Sequence, residues 1–399
     1  VVDLAGLSPP ARERRMLEEA ERAQAALDPL AGRMLGAVLF EHRTPASQSL
    51  LLVVHHLAVD AVSWPILVED LGVALAAARR GEPVALPPKT SSFRAWATRL
   101  AELARSPEVA LDVRAWLERP WHLAADPPQE RTAVAAAAAA AAGDGAGPRA
   151  QLRLELDEPT THALLRERTA KDVRGDELLV AALARALCAW TGSERVALDL
   201  EGHGRDSFSS LDLSRTLGWF TTLYPVLLDV DRDAAPDAAL ASIREQLRRV
   251  PRRGLAYGVA RYLSGDAQLR ARLAALPAPR VALNYLGRLG VGGDGAPFAL
   301  GDLPAGPMRS ARQRRVHGLE INAAVRAGRL QLELDFAADR FGAATIRRVA
   351  ADLERELRAL AGDRGPAAER LSAADVADFG WSQDDLDEIY SDLGGRGTP

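Results

Sequence analysis

The chain has 399 residues, 48% of them hydrophobic and 26% charged, and a formal net charge of -4. That is the composition of a globular protein with room for two or three domains, and it lacks the cationic excess that nucleic acid or an anionic membrane would call for. One cysteine excludes an internal disulfide and fits a reducing, cytoplasmic setting, and no stretch approaches the roughly 18 charge-free apolar residues of a membrane span.

The start, "VVDLAGLSPPARERR", has no secretory leader, and Val1 in place of an initiator Met points to a cut from a longer chain. Residues 9–27 predict a helix, with Met16, Ala20 and Ala23 at helical spacing. "RMLGAVLFE" (33–41) and "QSLLLVVHH" (48–56) predict two strands. A helix over 63–81 follows, with Ser63 as its cap, Pro65 in the first turn and Gly81 at its end. A second helix, "SSFRAWATRLAELARS", comes after a polar linker. The Ala- and Gly-rich tract 133–150 has no periodicity with which to join a core and reads as an insertion.

The second half repeats the theme. It predicts strands over 151–157, 194–206 and 279–287, a long apolar helix over 175–192, a hairpin around Ala327-Gly328 and a closing helix over 344–362. Cys188, within the apolar helix, reads as packing. Strands and helices mix throughout, which makes the chain α/β (α+β mixed) with two lobes, 1–150 and 151–399.

Chemistry concentrates at strand ends, where sheets present it. His55-His56, Glu201 with His203, and Asn284-Tyr285 stand at three such ends and could share one cleft. Adjacent histidines on a strand point to opposite faces, so His55 and His56 with Asp60 make a poor zinc set, and no metal site is expected. Gly202-x-Gly204 lacks the rest of a dinucleotide fingerprint or a P-loop.

"HHLAVDAVSW" (55–64) resembles the His-His-x-x-x-Asp-Gly motif of the condensation-domain superfamily of nonribosomal peptide synthetases. Within it, "EGHGRD" (201–206), "SRTLGWFTTLYPVLL" (214–228), "VPRRGLAYGVARYL" (250–263) and "LNYLGRLG" (283–290) resemble blocks of epimerization domains. "LPPKTSSFRAWATRLAELA" (86–104) and "FGWSQDDLDEI" (379–389) fit as well. Ala61 replaces the motif's glycine, and Asp206 stands where Glu is usual.

The resemblance implies two chloramphenicol-acetyltransferase-like lobes in a V-shaped pseudo-dimer, the N-terminal lobe incomplete because the family's opening strand and helix are absent before Val1. It implies inversion of the α-carbon of an aminoacyl or peptidyl thioester carried on the 4'-phosphopantetheine arm of an upstream carrier domain, with a condensation domain downstream and no cofactor bound by this domain. His56 and Glu201 then form the acid–base pair, and Asn284 and Tyr285 orient the thioester or enolate. His55, Asp60 and Arg205 support the site, Asp60 and Arg205 as an ion pair. Trp219-Phe220 and Tyr224-Pro225 would fill the side where an acceptor substrate binds, or else pack as an ordinary strand. The alternatives are a condensation domain forming the peptide bond and a catalytically inactive carrier-docking domain.

Overall fold

The structure, a computed structural model, describes residues 1–42, 48–130, 149–167, 173–289, 299, 301, 303–306, 310 and 313–362. The Ala- and Gly-rich tract, but for its last two residues, and the block at 379–389 lie outside them. Val1–Ala361 form one compact unit. It is mixed α/β, as expected, and is built on two sheets.

The smaller sheet runs β1 (Val2–Asp3), β2 (Leu35–Glu41), β3 (Gln48–Val54), with β2 and β3 antiparallel from Leu35↔Val54 to Glu41↔Gln48. Helix α1 (Pro9–Ala25) packs on it. It starts at two prolines, whose missing N–H groups cost nothing in a first turn. Leu4, Met16 and Phe40 form the small core between them. After β3 comes α2 (Ser63–Arg80), closed by Gly81 in the left-handed conformation at φ 69°.

The larger sheet has six strands in the order β4 (Arg149–Glu155), β9 (Arg329–Ala337), β8 (Leu319–Arg326), β7 (Val281–Arg288), β5 (Arg195–Gly202), β6 (Thr222–Asp229). Ala327 and Gly328, both at positive φ, make the β8–β9 turn, as the hairpin reading anticipates. Leu198, Leu283, Ile321 and Leu334 fall on its apolar face and share one core with helices α7 (Gly175–Thr191) and α11 (Ala343–Leu360). Cys188 of α7 is fully buried there, and burial pushes its thiol up to about 12.

Helices α3 (Phe93–Ala104), α4 (Pro107–Asp112) and α5 (Arg114–Leu117) belong to the same large core through Trp96, Val109 and Trp116, although they precede β4. Trp116 Nε1 donates to the Pro225 carbonyl (2.8 Å) and Arg119 Nη2 to that of Leu227 (2.6 Å), both on β6. The remaining helices are α6 (Glu158–His162), α8 (Pro236–Arg248), α9 (Leu255–Gly258) and α10 (Ala267–Ala274). Among the described residues no helix is long and apolar enough to cross a membrane.

Strand β6 and helix α8 are absent from the sequence-based elements. Pro225 sits in the middle of β6 and argues against a strand, but β6 is an edge strand, where a missing donor leaves no ladder bond broken.

Candidate active site

Strand β3 ends at Val54, just before the histidine pair. His55 N–H still donates to the Met34 carbonyl (2.8 Å), and a 3-10 turn, His56–Ala58, follows. The strand reading through residue 56 is thus too long, and the opposite-faces argument for the two histidines gives way to a turn geometry. His55 is half-buried and its Nδ1 accepts from Leu57 N–H (3.2 Å), bracing the turn. His56 is exposed, and its ring meets Trp219 edge-on at 5.3 Å between centroids.

Asp60, four residues on, is buried. Its Oδ1 accepts from Ser63 N–H (2.8 Å), from the Ser63 hydroxyl (2.7 Å) and from Arg205 Nη2 (2.8 Å). The expected Asp60–Arg205 ion pair is therefore present, with the two side chains 3% and 7% exposed. Ser63 does not cap α2 itself. Asp60 takes that role, and the Ser63 hydroxyl turns to Asp60 and receives a bond from Gly218 N–H (3.2 Å).

Arg205 is held on several sides. It donates to the carbonyls of Leu213 (2.7 Å) and Thr216 (2.8 Å), and its guanidinium lies 4.3 Å over the Phe220 ring. The turn that delivers it passes through Gly204 at φ 62°, where a side chain would run into the Phe220 carbonyl. One buried ion pair thus joins the histidine turn of the smaller sheet to the Glu-Gly-His-Gly-Arg turn of the larger. Together with the Ser63–Gly218 bonds it holds the two turns against each other, and removing one partner of such a buried pair leaves the other charge uncompensated.

Glu201 is half-buried at the end of β5, four residues before Arg205. Strand pairing sets Asp199 beside Ala282 and Leu200 beside Leu283, and by alternation Glu201 and Asn284, next on their strands, fall on the same face as Asp199 and Ala282. Asn284 in turn pairs with Asn322 of β8, a residue the sequence reading missed. Its signal is alternation: Glu320 and Asn322, two apart in "LEINAAV", mark a polar face.

Tyr285 falls on the opposite, apolar face and does not join Asn284. It packs against Gly175 at the start of α7, where a side chain would come within 2.8 Å of the ring. There a cleft of about 330 Å³ is lined by Glu201, Tyr285, Tyr224, Arg174, Asp176 and Arg253, among others. Burial raises the Tyr285 phenol above its ordinary value and pushes Tyr224 up to about 12, so both act as neutral donors. A second, apolar cavity of about 460 Å³ lies under the histidine turn, lined by Leu57, Val59, Phe93 and Leu217. His56 lines neither cavity.

Of the three aromatic residues and the proline read as bulk in the cleft, Phe220 is fully buried, Tyr224 is 9% exposed, and Pro225 is a buried member of β6. Phe220 and Pro225 are packing, whereas Tyr224 packs within β6 and also lines the cleft. Trp219 is 42% exposed and stands against His56.

A fold of two unequal sheets, with a His-His-x-x-x-Asp turn tied by its aspartate to an arginine of the larger sheet, defines a condensation-type domain. The Condensation domain family model matches residues 2–371, and the chain belongs to that family. It is 35% identical over 98% of its length to a linear gramicidin synthase of Brevibacillus parabrevis, and 36% identical over 99% to the chondramide synthase cmdD of Chondromyces crocatus. It spans 7% and 10% of those much longer relatives. Among solved structures, it is similar to the epimerization domain from the third module of tyrocidine synthetase B, with a TM-score of 0.79 and 31% identity over 90% of this chain and 79% of that one.

Proposed function

We propose that this chain is an epimerase of nonribosomal peptide synthesis, inverting the α-carbon of an aminoacyl or peptidyl residue presented as a thioester on the phosphopantetheine arm of a carrier domain. One observation carries the reading: Glu201 and His56 each lie four residues before one half of the buried Asp60–Arg205 pair. That pair, with the bonds around it, holds the turn after Glu201 against the turn that begins at His56. Two-face proton transfer at a carbon needs that arrangement.

Glu201 takes the α-proton and leaves the electron pair on the thioester as an enolate. His56 returns a proton to the opposite face, and in the reverse direction the two exchange tasks. Asn284, beside Glu201, supplies an amide N–H for the enolate oxygen. Tyr285 lines the cleft from the other face and positions the arm rather than the enolate. Trp219 packs on the His56 ring and limits its rotation. The similarity to a solved epimerization domain and the Glu-Gly-His-Gly-Arg turn support this reading over amide formation.

The test uses a single carrier loaded with one pure enantiomer in D2O. The expected result is solvent deuterium at the α-carbon and a D/L mixture from either enantiomer, with a loss of roughly 10²–10⁴-fold in Glu201→Gln. Retained chirality with one carrier, together with peptide product when a second carrier brings an acceptor amine, would overturn it in favour of condensation.

A further inference from the structure

Much of the charge on the walls of the cleft beside Glu201 is already paired. Arg174 holds Asp176 through two bonds, from Nε (2.9 Å) and Nη2 (2.5 Å). Glu177 accepts from the Arg174 backbone N–H and from Arg244 Nε, each at 3.0 Å, and Arg253 Nη1 donates to Asp206 Oδ2 at 3.2 Å. A cation entering here competes with an arginine for Asp176 or Glu177.

Tyr224 is different. Strand pairing sets Leu223 opposite Glu201 and Tyr224 opposite Leu200, so the tyrosine is the next residue along β6 from the partner of the proposed base. Tyr224 is 9% exposed and lines the cleft, yet among the described residues its hydroxyl has no hydrogen-bond partner. It is not sealed within protein either, so its open side is the cleft. A buried hydroxyl without a partner is costly, and an acceptor on a ligand would complete it. The ring is confined by the segment across from it. Arg252, Arg253 and Gly254 all have left-handed backbone, at φ 47°, 49° and 86°, and a side chain at Gly254 would run into the Tyr224 ring. Non-glycine residues persist in that conformation where their surroundings hold them. Here Arg252 bonds Asp112 (2.7 Å) and Glu108 (2.5 Å) of α4.

The α-carbon of a bound thioester carries the proton, the thioester carbonyl, the side chain and the nitrogen. A free amine at neutral pH is an ammonium, which has no lone pair to receive the phenol's proton and leaves that donor unmet. An acylated nitrogen brings a neutral carbonyl that accepts it. Resting on the reading of Glu201 and His56 as the acid–base pair, we propose that Tyr224 binds the acyl carbonyl on the substrate nitrogen, which makes peptidyl thioesters, rather than free aminoacyl ones, the substrate class. Tyr285, assigned to the arm, is not part of this contact.

Two carriers test it, bearing the same residue with its amine either free or acetylated. Each is joined to the arm through an amide in place of the thioester, so that neither is hydrolysed. Their dissociation constants are measured by calorimetry with the whole chain and with Tyr224→Phe, which keeps the ring and removes the hydroxyl. The expected result is tighter binding of the acetylated carrier by the wild type. In Tyr224→Phe that preference should shrink about tenfold, through loss of the acetylated carrier alone. Acetylation also removes a charge, so the change on losing the hydroxyl is the decisive reading. Equal binding of both carriers by the wild type, a preference unmoved in Tyr224→Phe, or an equal loss for both carriers would overturn the proposal. Because binding needs no turnover, a wild type that exchanges no α-proton on thioester carriers sinks the epimerase reading and leaves this result legible.

Discussion

The two sheets differ in what holds them. The larger is buried against α7 and α11 and shares a core that reaches back to Trp96 and Trp116. The smaller rests on Leu4, Met16 and Phe40, and β2 and β3 keep Leu35 and Leu50 exposed at 55% and 41%. Glu201 stands on the well-buried sheet and His56 on the thin one. The lesson is that apolar packing alone does not position His56; the polar tie through Asp60, Ser63 and Arg205 does, by borrowing rigidity from the larger sheet.

Breaking that tie has the largest expected effect. Asp60→Ala leaves the Arg205 charge buried without its carboxylate and should cost about 3–5 kcal/mol of stability, with activity lost as well. Chemical denaturation with a parallel exchange assay checks it. Full stability with abolished activity would mean that Asp60 takes part in the chemistry, and that the sheets are aligned by something else.

A second contrast lies within the larger sheet and is pH-dependent. His317 is buried with its Nε2 2.7 Å from Asp199 Oδ2. Although burial opposes its charge, the bonds to Asp199 and Glu320 hold its folded value at about 9, above the ordinary 6.5, so its contribution is complete below pH 6.5 and lost as pH rises through 9. The shift corresponds to about 3 kcal/mol. Unfolding free energy should fall between pH 6 and pH 10, and His317→Gln should flatten that slope. A wild-type protein equally stable at both ends would refute the buried imidazolium.

The smallest effect belongs to the outer link between the halves, where Arg215 pairs with Glu69 (2.6 Å) and Asp70 of α2. Arg215→Ala should lower the melting temperature less than Asp60→Ala, and the difference should vanish near 1 M salt, where exposed charges are screened within about 3 Å. A salt-independent loss as large as that of Asp60→Ala would make this link an equal partner in the tie.

Local patterns carried much of this fold in advance. The hairpin at Ala327-Gly328, the stop at Gly81 and the helix from Gly175 follow from turn chemistry and period, and these signals lie within a few residues of one another. Strand β6 did not, because whether Pro225 is tolerated depends on its place at the edge of the sheet, which is a tertiary fact. Asp60 and Arg205 were legible as partners through the resemblance of two separate blocks. The His317–Asp199 pair was not: "RRVHGLEIN" has no motif, and Asp199 lies 118 residues from His317 in the chain. Adjacent Asn284 and Tyr285 looked like one unit, and strand alternation sent them to opposite faces.

Cys188 has a practical consequence. The chain's one thiol is fully buried in α7, and at neutral pH it is neither ionised nor reachable by maleimides. The native sequence is therefore already a blank background for site-directed labelling. Cysteines placed at exposed Leu50 and His203, one near each sheet, could carry a donor and an acceptor dye without removing any residue of the core. Changes in the separation of the two sheets would then be read as a spectroscopic ruler in the otherwise intact molecule.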